Sequence, residues 1–305
     1  MARRRARGRD VNGILLLDKP AGMSSNAVLQ RVKRLFFAKK AGHTGSLDPI
    51  ATGLLPICLG EATKISAYLL DANKGYQVTI KLGQKTTTGD IEGEVTESRP
   101  VPSLSLLELE QVLTTFIGEI DQVPPMYSAL KKDGQPLYKL ARQGVEVERQ
   151  PRRVAIHSIK LVAFRFDEID LEVICSKGTY IRTLAEDVGE QLGCGGHVKV
   201  LRRILTEPFQ LANAVSLEQL EQARAEAPAE ALDKFLLPID TALQSWPGVS
   251  LNKDMANYLR HGQAVLVPKA PTEGLVKLYG CEDEFLGVGH ILDDGRVAPK
   301  RLICA

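Results

Sequence analysis

One carboxylate, Asp48, lies in a loop-forming segment that reads AGHTGSLDPIATGLL. Gly42, Gly45 and Gly53 let the backbone approach a ligand closely, and Pro49 stiffens the peptide that follows the carboxylate. An aspartate with an ordinary pKa of about 3.9 is ionised at neutral pH, as a nucleophile or a base must be. The same Asp-Pro pair is common in surface turns, so these residues alone leave both interpretations open. The loop has no second carboxylate, which argues against the paired acid–base chemistry of a glycosidase.

The elements that position this loop follow from hydrophobic periodicity. Residues 14–17 predict a short buried strand, and Ser24 or Ser25 can cap the helix that follows it. The segments after the loop, LLPICLG and EATKISAYLL, predict a buried strand and then a helix. The loop therefore lies between a helix and a buried strand.

Farther along the chain, YQVTIKLG alternates strictly between apolar and polar residues and predicts a half-buried strand with Tyr76 on its apolar face. Ser105 and Glu108 form a capping box at the start of a helix that Gly118 ends. The residues after Pro247 predict a small separate β-rich module. The other predicted elements are strands at 154–166, 170–175 and 198–209, helices at 180–192, 217–227 and 254–261, and terminal strands at 264–268, 274–280, 285–292 and 296–303.

The composition is that of an ordinary globular protein. The 305 residues include 44% hydrophobic residues and carry a net charge of +2, and this length favours about two domains. The five cysteines show no C-x-x-C spacing, which argues against a structural zinc site and a disulfide framework. No apolar run approaches the roughly 18 residues of a membrane helix, and the arginine-rich N-terminus lacks the apolar core of a signal peptide. We expect a cytoplasmic protein with no membrane segment.

The loop sequence, read together with its surroundings, resembles a known enzyme family. GHTGSLDPIATGLLPICLGEATK is similar to the central motif of the TruB-type tRNA pseudouridine synthases, which modify uridine 55 in the T-loop. LLLDKPAGMSSN, GYQVTIKLG and CSKGTYIRTLAEDVGEQLGCGGHV match the same family in order, so the resemblance spans residues 11 to about 245. It implies an α+β fold with a mixed, mainly antiparallel central sheet flanked by helices, the pseudouridine synthase fold.

The resemblance also implies a domain organisation. A basic N-terminal tail, residues 1–10, precedes a catalytic domain at 11–245, which includes an RNA-gripping insertion at 123–153. A small β-rich PUA-like domain follows at 250–305 and is expected to contact the acceptor side of the tRNA.

Asp48 matches the catalytic nucleophile of the family, and Tyr76 matches a residue that stacks on the target uracil and assists proton removal at C5. An aromatic face suits a flipped pyrimidine, and a phenol oxygen can relay a proton. The reaction implied is isomerisation without a cofactor or metal. Whether Asp48 attacks ribose C1′, attacks uracil C6 or acts as a base toward the sugar stays open, and Tyr76 taken alone also fits an ordinary core aromatic.

Four more residues match the substrate site of the family. Tyr180 and Arg182 match positions that line the base pocket and pair with the aspartate, and a guanidinium there would orient Asp48 and keep it ionised. Leu201 matches an apolar wall of the pocket, and His43 matches a residue that contacts RNA beside the flipped nucleotide. From the residues alone, Arg182 also fits a surface position at a helix start, and Leu201 fits a core leucine.

Basic residues predict where RNA is held. The segment from Lys131 to Arg153 contains seven basic residues against three acidic ones, which suits a phosphate backbone but also a solvated protein face. We expect the T-stem-loop of tRNA as the partner, with no obligate protein partner and a monomeric enzyme. The predicted RNA-binding residues are Lys19, Lys64, Lys131, Lys132, Arg142, Arg152 and Arg153.

Two other functions are compatible with parts of the pattern. A tRNA-binding or tRNA-folding module could share the basic insertion, but it would have no reason to keep Asp48, Tyr76, Tyr180 and Arg182 together. Pseudouridylation directed by a guide RNA is disfavoured by the long basic insertion, which a standalone enzyme would use. A contribution to tRNA folding beside catalysis stays open.

Overall fold

The computed structural model describes residues 8–303. The chain forms two compact units. Among the described residues, the first comprises 8–48, Leu54–Asp71 and 206–303, and the second comprises Pro49–Gly53 and Ala72–Leu205. Residues 1–7 of the predicted basic tail, and Cys304, lie outside the described residues. In this described part, no helix is both long and apolar enough to cross a membrane.

The strands are numbered in chain order through the described residues. They are β1 Gly13–Lys19, β2 Ala41–His43, β3 Thr52–Leu59, β4 Lys74–Leu82, β5 Gln84–Thr86, β6 Val95–Ser98, β7 Gly118–Gln122, β8 Lys131–Lys132, β9 Gln135–Pro136, β10 Arg152–Arg165, β11 Glu168–Cys175, β12 Gly196–Thr206, β13 Phe209–Gln210, β14 Val215–Ser216, β15 Leu236–Leu237, β16 Gly248–Ser250, β17 Leu275–Tyr279, β18 Phe285–Ile291 and β19 Val297–Leu302.

Apart from α4, the helices follow the predicted segments. They are α1 Ser25–Leu35, α2 Ser66–Asp71, α3 Leu106–Thr114, α4 Leu137–Ala141, α5 Ile181–Gln191, α6 Leu217–Glu226 and α7 Lys253–Arg260. The single helix expected for EATKISAYLL is instead a short 3-10 helix, Gly60–Lys64, followed by α2. The capping box at Ser105 and Glu108 is present at the start of α3.

The first unit is built around β1, whose apolar residues are all buried. β14 pairs parallel to β1 and β15 pairs antiparallel to it, while β2 lies antiparallel to β3 with His43 opposite Ile57. Helix α1 contributes Val28, Val32 and other apolar side chains to a core cluster that also holds residues of β1 and β3. This packing holds the segment between α1 and β3 on both sides.

The C-terminal part of the first unit contains a four-stranded sheet in the order β16, β17, β18, β19. Its own apolar cluster includes Val249, Leu259 and Val276. The β-rich character predicted for this part of the chain is therefore confirmed. The strand expected at 264–268 is wrong, because only Val265 makes an isolated bridge, to Val297. Val265 is buried in this cluster and Val267 packs against it, whereas Leu266 is 67% exposed. The segment therefore buries part of its apolar surface without the continuous pairing of a strand.

The second unit contains a sheet in the order β12, β4, β11, β10, β7. The pairs of β11 with β4, of β10 with β11 and of β10 with β7 are all antiparallel. Thr52 and Gly53, at the start of β3, pair in parallel with Arg202 and Arg203 of β12. The central strands are therefore mixed but mainly antiparallel, which confirms the predicted fold class. Between β7 and β10 the chain forms only a short hairpin, β8–β9, and α4.

Candidate active site

The loop that carries Asp48 starts from a buried anchor at Thr44. The Thr44 backbone N–H donates to the Pro56 carbonyl at 3.1 Å, and its hydroxyl donates to the same oxygen at 3.4 Å. Thr44 is fully buried, so both bonds are shielded from water. The loop therefore leaves β2 in a fixed direction.

A second anchor holds the residue immediately before Asp48. The Ser25 hydroxyl donates to the Leu47 carbonyl at 3.0 Å and accepts from the Leu47 N–H at 2.7 Å. Ser25 and Leu47 are both buried, and one hydroxyl can make both bonds because it is a donor and an acceptor. The neighbouring Ser24 caps α1 by accepting from the Ala27 N–H. The two serines thus have separate tasks, which the sequence left unresolved.

The glycines of the loop serve the fold in different ways. Gly45 and Gly53 have φ values of +98° and +99°, which side-chain-bearing residues rarely adopt. A Cβ on Gly53 would lie 2.3 Å from the Arg203 carbonyl oxygen, so Gly53 allows β12 to approach closely. A Cβ on Gly42 would meet only a methyl group of Thr63 at 3.8 Å. In this structure the requirement at Gly53 comes from strand packing, whereas the sequence interpretation invoked the approach of a ligand.

Arg182 is held rigidly inside the second unit. It is the second residue of α5 and is 5% exposed, so the surface-arginine interpretation is wrong. Its Nη1 donates to the Thr88 carbonyl at 2.8 Å, and its Nη2 donates to the Tyr127 carbonyl at 2.7 Å. Asp90 Oδ2 lies 3.8 Å from Nη1. A buried guanidinium needs such acceptors, and they fix the plane of the group.

Asp90 and Gln122 are site-supporting residues that sequence reasoning missed. Asp90 is 4% exposed and accepts from the Thr88 hydroxyl at 2.6 Å. Gln122 is also buried, and its amide bonds the Tyr180 N–H at 3.0 Å and the Tyr180 carbonyl at 3.2 Å. These two bonds hold the N-cap residue of α5, which immediately precedes the helix. In the sequence, each of them is only a polar residue at the end of a segment. Such residues are too common for Asp90 and Gln122 to be singled out.

The remaining predicted substrate residues lie on three strands. Tyr76 is 9% exposed on β4 opposite Val173, and Leu201 is buried on β12. His43 ends β2 and is half-buried. Tyr76, Leu201, Tyr180 and Arg182 belong to the second unit, whereas Asp48 and His43 belong to the first. The pairing of Arg182 with Asp48 stays a prediction.

The predicted RNA-binding residues of the insertion are largely exposed. Lys131, Lys132 and Arg152 are exposed, and Arg142 is exposed with its guanidinium carbon 5.8 Å from the centre of the Tyr138 ring. Arg153 is 65% exposed although it bonds Glu119 and Asp121.

Two predicted RNA-binding lysines are engaged inside the first unit. Lys19 is fully buried and donates to the Pro20 carbonyl at 2.8 Å. Lys64 donates to the Leu302 carbonyl at 2.8 Å and pairs with Glu61. Lys19 therefore presents no exposed ammonium group in this structure. Within residues 8–303, no three His, Cys, Asp or Glu side chains converge as a metal site.

Three family models match the chain from residue 33 to residue 303. They are described as TruB family pseudouridylate synthase (N terminal domain), at 33–181, tRNA pseudouridylate synthase B C-terminal domain, at 182–244, and Pseudouridine synthase II TruB, C-terminal, at 247–303.

Curated relatives are similar over nearly their whole length. The tRNA pseudouridine synthase B of Nitrosococcus oceani is 58% identical over 300 residues, which cover 98% of this chain and 97% of the relative. The enzyme of the same name from Coxiella burnetii strain RSA 493 is 56% identical over 295 residues, covering 97% of this chain and 96% of the relative.

Solved structures show the same fold at lower identity. A chain in the crystal structure of a Cbf5-Nop10-Gar1 complex matches with a TM-score of 0.74 and 25% identity, over 95% of this chain and 84% of that chain. A chain in an H/ACA RNP bound to a substrate RNA containing 2′-deoxyuridine matches with a TM-score of 0.74 and 23% identity, over 96% and 85%. These matches confirm the predicted fold and enzyme class. The chain belongs to the TruB family of pseudouridine synthases.

Proposed function

We propose that this protein isomerises uridine to pseudouridine at position 55 in the T-loop of tRNA, with Asp48 starting the reaction. The observation that carries the proposal is the 58% identity, over 98% of this chain, to a relative named tRNA pseudouridine synthase B. The motif around Asp48 is intact, and the hydrogen bonds of Thr44 and Ser25 keep its loop rigid. A rigid loop suits a group that must meet one atom of a substrate.

The chemistry rearranges one glycosidic bond. The target nucleotide leaves the loop stack, which costs a few kcal/mol. This cost is smaller for a loop nucleotide than for a paired one. The N1–C1′ bond breaks, the uracil turns, and C5 bonds to C1′. The proton on C5 is then lost and N1 gains one, so the product has the same atoms as the substrate. No cofactor is needed, and the carboxylate of Asp48 suits attack at C1′, attack at C6 or proton removal from the sugar.

The other site residues receive roles that fit their surroundings. Tyr76 has its ring on the apolar face of β4, which suits stacking on uracil and proton transfer from C5 through its hydroxyl. Arg182 has a guanidinium held in one plane by two carbonyls, which suits pairing with Asp48. Tyr180 and Leu201 would line the base pocket, and His43 would contact the RNA beside the target.

Regions outside the base pocket would hold the tRNA. The insertion at 123–153 would grip the T-stem through its exposed cations, and residues 250–305 would act as a PUA-like domain on the acceptor side. The catalytic domain would span 11–245. We propose a monomeric cytoplasmic enzyme that acts without a partner protein.

Tritium release from C5-labelled uridine in a tRNA transcript tests the function. We expect release by the wild-type protein, loss of turnover in Asp48→Asn, and RNA binding largely kept in that variant. A transcript with cytidine at position 55 is the control for the site and should release no tritium. Release from that transcript would refute the T-loop position, and normal turnover by Asp48→Asn would refute the role of Asp48.

The similarity to chains solved in H/ACA-type complexes favours one alternative, which is modification directed by a guide RNA. The same assay separates the two functions, because it contains only the purified protein and the transcript. Activity in that mixture supports the standalone enzyme. Activity that appears only after a guide RNA and partner proteins are added would replace the proposed function.

A further inference from the structure

A basic surface segment follows the helix that supports the Asp48 loop. Residues 31–40 read RVKRLFFAKK and contain five basic residues and no acidic one. Arg31 pairs with Glu221, and Lys39 pairs with Asp10 at 2.6 Å. Within residues 8–303, the side chains of Lys33, Arg34 and Lys40 have no carboxylate partner. We call these three residues, together with Phe37, the α1 patch.

Phe37 gives this patch an exposed aromatic ring. Phe36 is fully buried, but Phe37 is 50% exposed. Its backbone has a φ of +49°, a conformation that is uncommon for a bulky residue. The helix therefore ends with an aromatic side chain directed outward, at a position where glycine or asparagine would be the usual choice.

The backbone of the patch is fixed before any ligand arrives. The Phe37 N–H donates to the Arg34 carbonyl at 3.0 Å, and its carbonyl accepts from the Arg9 N–H at 2.7 Å. The Lys40 carbonyl accepts from the Gly60 N–H at 2.9 Å. A ligand would therefore bind a preformed surface and would order little of the chain.

Helix stability explains only part of this arrangement. Lys33 and Arg34 lie in the last turn of α1, where cations stabilise the helix dipole. Lys40 lies beyond the helix, and the exposed ring of Phe37 contributes nothing to the dipole. All three cations lie within four residues of Phe37 along the chain. Cations combined with an exposed aromatic ring are what binds single-stranded nucleic acid, since the cations contact phosphates and the ring stacks on a base.

The position of the patch indicates which nucleotides it would meet. Lys40 immediately precedes β2, which ends at His43. Because a strand rises about 3.3 Å per residue, the two residues lie about 10 Å apart. We propose that the α1 patch binds RNA beside the target nucleotide, with its three cations on the backbone and Phe37 stacked on an unpaired base. This inference rests on the proposed RNA substrate.

The cations are tested by the salt dependence of tRNA binding, measured with the full chain in the Asp48→Asn background. The variant Lys33→Gln/Arg34→Gln/Lys40→Gln should reduce the slope of log affinity against log salt by about 2, since each phosphate contact in single-stranded RNA contributes about 0.7. The ratio of the parent's affinity to the affinity of this variant should therefore change by about 20-fold between roughly 50 and 200 mM salt.

A matched control keeps the same change in net charge. Lys160, Arg224 and Lys234 are exposed, and no ion pair of theirs occurs within the described residues. Their triple glutamine variant should leave the slope nearly unchanged. An equal loss in both triple variants would show that only net charge matters and would overturn the proposal, and so would an unchanged slope in the patch variant.

The ring is tested by Phe37→Asn, because asparagine tolerates a positive φ and should fold at least as well. We expect binding about 5- to 150-fold weaker with an unchanged salt slope. Wild-type affinity in this variant would refute the stacking role. Tritium release is also measured for the wild type and for each patch substitution made in the wild-type background, with Asp48 present. This assay separates the hypothesis about the patch from the proposed function. If the wild type turns over but the variants bind tRNA as tightly as their parent, only the hypothesis about the α1 patch is overturned. If the wild type shows no turnover, the proposed function itself is overturned.

Discussion

Replacing Ser25 with alanine tests whether the Asp48 loop is held in place from α1. The substitution removes the one hydroxyl that bonds both the N–H and the carbonyl of Leu47. Leaving the buried N–H unsatisfied costs about 1–3 kcal/mol, so the free energy of unfolding should fall by about 2 kcal/mol. The anchor at Thr44 and the rigid Pro49 remain, so the loop should shift without unfolding.

The kinetic effect should exceed what this loss of stability explains. A misplacement of about 1 Å in a reacting group can cost about 100-fold in rate, so we expect single-turnover tritium release to slow by about 10- to 100-fold. KM should change little, because Ser25 is 3% exposed and offers no surface to RNA. Ser25→Thr keeps the hydroxyl and should recover most of the rate.

Ser24→Ala is the matched control, because it deletes the same atom one residue earlier. Ser24 caps α1 through the Ala27 N–H, and losing such a cap costs about 1 kcal/mol. Its single-turnover rate should stay at the wild-type value below the unfolding temperature. A wild-type rate in Ser25→Ala would refute the positioning argument, and so would equal slowing in both variants.

Three further predictions concern the second unit and its surroundings. Gly53→Ala should lower the free energy of unfolding in urea by about 3 kcal/mol, since the added Cβ meets a backbone oxygen at 2.3 Å and the φ of residue 53 is positive. Gly42→Ala should change the free energy of unfolding by much less, and similar losses in both variants would contradict this reasoning. Arg182→Lys cannot reproduce the forked guanidinium that reaches two carbonyls, so the free energy of unfolding should fall by about 2 kcal/mol and the rate of tritium release should fall at least about tenfold. Wild-type values for both would show that the guanidinium is dispensable. Hydrogen bonds from Arg99, and next from a lysine, lower the pKa of Glu190 from 4.5 to about 2, so the stability that they provide is present above pH 4.5 and is lost as the pH falls toward 2. Glu190→Gln should therefore make the free energy of unfolding less dependent on pH in that window, by a modest amount because the carboxylate is 40% exposed. An unchanged pH profile of unfolding would argue against this role of Glu190.

Local patterns predicted most of the elements well. The alternation that begins at Tyr76 appears as β4, and the capping box at Ser105 appears at the start of α3. Both signals depend on residues within a few positions of each other, so the sequence displays them directly. The prediction failed at 264–268, where apolar residues suggested a strand but Val265 alone makes a bridge.

The sequence by itself determined which residues are chemically suitable. It placed a carboxylate, Asp48, before a proline in a glycine-rich loop, and it carried ordered motifs long enough to indicate the family. These properties depend on residue type and order along the chain, which folding does not change.

Only the tertiary structure decided how the suitable residues are held. Ser25 meets Leu47 across 22 positions, and Arg182 meets the Thr88 carbonyl across 94. Gly53 is required because β12 approaches its backbone from about 150 residues away. Such contacts follow from the packing of whole elements and leave no periodic signal near the residues themselves. The sequence could therefore identify Asp48, but only the folded chain shows that a serine of the preceding helix holds its loop.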